Sequence, residues 1–98
     1  MEFIRTYNAG SEEYKRLERA ASLLSELSPK GRSYHVEDTY FDFGQNWTWT
    51  TITYEDRDWG KVQVLSPRDL KKILTYDSLE KAIAEIVSDI YWTDKEAV

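Results

Sequence analysis

Few residues in this chain could do chemistry, and their spacing argues against most of the reactions such residues serve. His35 is the single histidine among 98 residues, so no site built on two imidazoles is available. It stands two positions before Glu37, which on a strand puts imidazole and carboxylate on one face, as an acid–base pair would need. A lone histidine beside a glutamate is ordinarily incidental, and no third group completes a catalytic set. Asp56-x-Asp58-x-Gly60 opens like a calcium loop, but its glycine comes one residue early and Pro67 occupies the place of the bidentate glutamate. Ser11, Ser66 and Ser78 stand where helix caps are needed, and no serine lies in a G-x-S-x-G turn. No glycine-rich phosphate cradle is present, and with no cysteine there is no thiolate, zinc knuckle or disulfide framework. The expectation is a protein without catalytic residues, metal or cofactor.

What the chain has in quantity is rings and acids. Aromatics make up 14%, with 7 Tyr and 4 Trp, a proportion suited to a surface that grips another molecule. The formal charge is −5, which repels a bare phosphate backbone and attracts a basic protein. That charge is concentrated. Residues 33–65 carry two cations, Arg57 and Lys61, against Glu37, Asp38, Asp42, Glu55, Asp56 and Asp58, a net −4 of the total −5. The chain begins MEFIRTYNAG, without a basic head followed by an apolar run, and no window approaches ~18 apolar residues, so a cytoplasmic protein with no membrane partner is expected.

The elements that position these groups follow from punctuation and period. At 98 residues one α+β domain is expected over 1–98. Ser11 with Glu12 and Glu13 opens a helix of roughly 12–27, its apolar positions recurring at three and four from Tyr14 to Leu27. From Ser33 to Leu65 the period becomes two and Thr, Tyr, Trp, Val and Ile dominate, which predicts three antiparallel strands over about 33–43, 47–55 and 61–65. Ser66-Pro67-x-Asp69 opens a short helix to about Leu74, and Asp77-Ser78-Leu79-Glu80 forms a capping box for an amphipathic helix to about Trp92. The order is α-β-β-β-α-α, with the helices packed on one face of a three-stranded meander and a short extra strand at Phe3–Tyr7 as an option.

A three-residue hairpin loop sets Phe43 against Trp47 and Phe41 against Trp49; the next hairpin sets Tyr54 against Val62 and Glu55 against Lys61. The even face then holds Tyr34, Val36, Tyr40, Ile52, Tyr54, Val62 and Val64 as the core, under the first and last helices. The odd face, with His35, Glu37, Thr51, Thr53 and Glu55, faces water and carries Phe41, Phe43, Trp47 and Trp49 at one end. This register leaves Asp38 opposite Ile52 on the inner face, which a bulge in the first strand would repair. The alternative, in which the Trp47 and Trp49 strand packs inward, stays open. The outward arrangement makes Glu37, Asp38, Phe41, Asp42, Phe43, Trp47, Trp49, Glu55, Asp56, Asp58 and Trp59 one candidate partner-binding surface. Acids around rings suit an Arg- and Lys-lined groove. A homodimer through the ring patch is the other way to cover it.

A helix, three strands and a helix is also the element order of double-stranded-RNA-binding domains, but the loops Gly44-Gln45-Asn46 and Asp56-Arg57-Asp58-Trp59-Gly60 lack the cations such a domain needs to span phosphates. In size, acidity and element order the chain resembles small acidic phage-encoded inhibitors of CRISPR effectors, the anti-CRISPR proteins. That resemblance implies a stoichiometric, non-catalytic blocker that mimics nucleic acid, with Glu37, Asp38, Asp42, Glu55, Asp56 and Asp58 standing in for phosphates. An immunity protein neutralising a basic nuclease toxin would use the same physics.

Overall fold

The computed structural model describes residues 5–28, 32–42, 46–56 and 61–96, with side chains for all of these except Phe41, Asp42, Asn46, Trp47, Asp56, Lys61 and residues 90–96. Helix α1 (Glu12–Leu27) starts where its cap dictates: the Tyr14 N–H donates to the Ser11 hydroxyl at 3.2 Å, with Glu12 and Glu13 in the first turn. Strands β1 (Tyr34–Asp42), β2 (Asn46–Asp56) and β3 (Lys61–Val64) form an antiparallel sheet in the order β1-β2-β3. Helix α2 (Pro67–Thr75) is capped by Ser66, which accepts from the Asp69 N–H at 3.2 Å. Helix α3 (Leu79–Glu96) follows; Ser78 is its cap, accepting from the Lys81 N–H at 3.2 Å, one residue later than a box built on Asp77 supposes. It also runs on past Trp92. The expected α-β-β-β-α-α order is found, with mixed α+β architecture and the helices packed on the sheet.

Helix α1 is the one that lies on the strands; α2 and α3 pack against it and against each other. Leu17, Ala20, Ala21 and Leu24 of α1 meet Tyr34 and Ile52 from the sheet, and Leu70, Ile73, Ile83 and Ile86 close the core from the far side. Two further contacts tie the layers together. The Arg16 guanidinium donates to the carbonyls of Ile73 and Tyr76, occupying acceptors that the end of α2 leaves open. Arg32 stacks over the Tyr54 ring at 5.0 Å, and Tyr54 meets Tyr34 at 4.8 Å between centroids.

The register departs from the sequence expectation in two ways. Between β1 and β2 the pairs are Tyr34 with Tyr54, Asp38 with Thr50 and Phe41 with Trp47. This is a shift of two residues, so every side chain keeps its face. The ladder runs unbroken through Asp38, without the bulge. Between β2 and β3 the shift is one residue, with Thr53 opposite Val64 and Glu55 opposite Val62. A one-residue slip exchanges faces. Val62 is accordingly 66% exposed rather than core, and Val64, on the same outer face, is half-buried. Leu65 takes the core place, its N–H donating to the Ile52 carbonyl at 2.9 Å. Tyr40, also expected in the core, is 58% exposed, because β1 runs on past the part of the sheet that α1 covers.

Asp69 at the start of α2 is held above its ordinary carboxyl value by burial, with Lys72 opposing, Asp89 adding, and the Ser66 hydroxyl and Arg68 opposing. A raised folded value means the folded state binds the proton more tightly, so this contribution to stability is full below 3.8 and is lost as pH rises through the folded value. Asp69→Asn is expected to melt above the wild type at pH 7, with the difference shrinking toward pH 3 in a thermal melt series.

Candidate functional site

The sheet face turned away from the helices carries Glu37, Glu55 and Trp49, while Asp38 lies on the opposite face of β1, and the floor of the outer face is the middle of β2. Trp49 is only 9% exposed, and Thr51 and Thr53 are fully buried. The expectation that Trp49 projects into solvent is therefore corrected, as is the expectation of water over Thr51 and Thr53. Parity was right, since Trp49 lies opposite the Ile52 face and outside the helix-packed cluster. Its surroundings were not anticipated. Where β3 ends, the segment 5–7 takes over as neighbour of β2: the Thr50 N–H donates to the Arg5 carbonyl at 3.0 Å and the Thr6 hydroxyl to the Thr48 carbonyl at 3.2 Å. With β1 on one side and this segment on the other, β2 is flanked along both edges at Trp49. The segment is not a strand at residues 5–7, and residues 1–4 lie outside the described residues.

Thr50 joins the two flanks. Its hydroxyl donates to Asp38 Oδ1 at 2.6 Å and accepts from the Tyr7 N–H at 2.9 Å. Asp38 thus meets a hydroxyl rather than Ile52, and this places its carboxylate at an exposed position of β1 while tying it to the core strand. Thr50→Val keeps the shape but orphans the buried Tyr7 N–H. A loss of about 1–2 kcal/mol is expected in denaturant unfolding.

Of the other expected site residues, Glu37 and Glu55 are exposed on the same face as Trp49. His35 Nε2 sits 3.0 Å from Glu37 Oε1, both side chains about half exposed. They form the adjacent pair that the spacing implies, on an open face. Thr51 and Thr53 lie between Glu37 and Glu55 along β2, and their hydroxyls, with that of Thr39, have no hydrogen-bond partner among the described residues. Phe41, Asp42, Trp47 and Asp56 are placed by backbone only, and Phe43, Asp58 and Trp59 lie outside the described residues. Tyr40 and Val62 were missed as surface residues. Their exposure follows from register and from the reach of α1, neither of which is a local property of the sequence.

Among the described residues no group of three or more His, Asp or Glu is disposed to hold a metal ion, and no helix is long and apolar enough to cross a membrane. Two grooves lie on the helical side, one lined by Lys15, Arg19, Leu23 and Glu80, the other by Tyr76, Ser78 and Lys81. Neither is lined by a residue of the acidic strands. Compared with known proteins, the chain matches no family model, no curated protein and no solved structure.

Proposed function

We propose that the chain is a small non-catalytic inhibitor that inserts its acidic sheet, with carboxylates on both faces, into a basic, nucleic-acid-binding groove of a protein partner in the cytoplasm. The observation that carries this reading is the exposure of Glu37, Asp38 and Glu55 on the segment that holds −4 of the net charge of −5. Carboxylates fixed on a rigid sheet imitate phosphates without the mobility of a nucleic acid, and they attract Arg and Lys over several ångströms. Tyr40, exposed two residues from Asp38, supplies a ring on which an arginine can stack. Trp49 has no part in the contact surface; it is a structural residue. The partners that fit are nucleases, a CRISPR effector or a toxin, whose grooves are built to hold a polyanion.

Immobilised protein captures such a partner from host lysate at low salt, and a duplex DNA competitor then releases it. Capture that DNA leaves untouched would remove the nucleic-acid mimicry from the account.

A further inference from the structure

We infer that the outer edge of β1 is a docking edge for an extended basic segment of the partner, which adds to the sheet as a fourth strand. The inference rests on the acidic-surface reading above and specifies how that surface is engaged.

β1 is an edge strand, and two independent contacts show which of its backbone groups point outward. At Tyr34 the N–H donates to the Ser25 hydroxyl of α1 at 2.8 Å, and the same hydroxyl reaches the Tyr34 carbonyl at 3.3 Å, so both groups face away from β2. At Thr50 the N–H is given to Arg5 on the far side of β2, so Thr50 and its partner Asp38 are a pair without ladder bonds between them. In an antiparallel ladder this alternation holds along the strand, and Val36 and Asp38 therefore direct their N–H and C=O outward as Tyr34 does. Ser25 closes the edge at Tyr34. Among the described residues, neither the N–H nor the C=O of Val36 or Asp38 makes a backbone hydrogen bond outside the strand ladder.

The charge on this edge selects the occupant. Self-pairing about Asp38 would set Asp38 against its own copy, and the neighbouring register that sets Asp38 against Val36 sets Glu37 against its own copy, like charges roughly 5 Å apart. Acids on an edge oppose self-association in this way. Toward a basic strand the same groups are attractive. Glu37 projects on one face and Asp38 on the other, so a strand with two consecutive cations meets one carboxylate on each face. The main chain then supplies affinity and the side chains supply choice, as in other strand-addition complexes.

The test is amide hydrogen exchange on the full chain, with the synthetic peptide Thr-Val-Thr-Lys-Arg-Thr-Val-Thr as probe. Without peptide, the Val36 and Asp38 amides exchange fast while those of Glu37 and Thr39, inside the ladder, are protected. With peptide, Val36 and Asp38 are expected to slow by at least about tenfold. The same peptide with alternate amides N-methylated, or with Glu in place of Lys and Arg, should give no protection. Unchanged exchange at Val36 and Asp38 in saturating peptide would overturn the inference and leave Glu37 and Asp38 as charges that merely keep the edge from aggregating. Protection that grows with protein concentration alone would assign the edge to a second copy. If a natural partner is captured in a charge-dependent way while these amides stay fast, the edge fails and the inhibitor reading stands; if no such partner is captured, the inhibitor reading itself fails.

Discussion

Replacing Trp49 by alanine is expected to cost about 3–5 kcal/mol of stability, lowering the melting temperature by roughly 15–30 °C in a chain of this size. The indole is 9% exposed on a strand flanked on both sides, so its removal opens a cavity that neither β1 nor the segment 5–7 can fill without breaking the hydrogen bonds that hold them to β2. An exposed contact residue would behave otherwise, because truncating it leaves stability within about 0.5 kcal/mol. Trp49→Phe retains most of the apolar volume and should lose a fraction of that stability while leaving partner capture intact. Calorimetry on the two variants separates a structural indole from a recognition one.

Neutralising the exposed carboxylates is expected to do the opposite. The combined variant Glu37→Gln, Asp38→Asn, Glu55→Gln keeps the size of each side chain, and asparagine at position 38 can still accept the Thr50 hydroxyl proton. Stability should therefore change little. Partner binding should weaken by about 100-fold, equivalent to ~2.7 kcal/mol, since three charges on the two faces of the acidic sheet lose their attraction for the groove walls together. Isothermal titration with the captured partner reads both the affinity and, through the unbound control, the integrity of the variant. An affinity within a factor of two of the wild type would show that these carboxylates do not face the partner.

Much of the fold could be read in the sequence because local signals agreed with one another. The Ser11 cap, the two acids after it and the three-and-four recurrence all specify α1, and its boundaries match at both ends. The strand order and the two faces of the first hairpin were legible for the same reason, since a two-residue shift leaves the parity of every side chain unchanged. The second hairpin was not legible, because Lys61 finds an acid in either register. Glu55 and Asp56 are both acids, so charge favours either register equally, and the backbone sets Lys61 opposite Asp56. Charge could not decide between them, and Leu65, rather than Val64, decided by entering the core.

The site was partly legible. The acidic bias of residues 33–65 and the exposure of Glu37, Asp38 and Glu55 are properties of composition and alternation. The burial of Trp49 is not. It occurs where residues 5–7, more than 40 positions away in the chain, meet β2 at the neighbouring Thr48 and Thr50. No local pattern carries that information. The exposure of Tyr40 likewise reflects where α1 stops covering β1, a matter of tertiary placement.

The central claim is that recognition runs through fixed surface carboxylates, and the salt dependence of the partner's dissociation constant tests it most directly. The wild-type complex should weaken steeply between low and physiological ionic strength, and the combined carboxylate variant should show a clearly shallower slope. An affinity that does not change with salt, or a slope identical in wild type and variant, would contradict it.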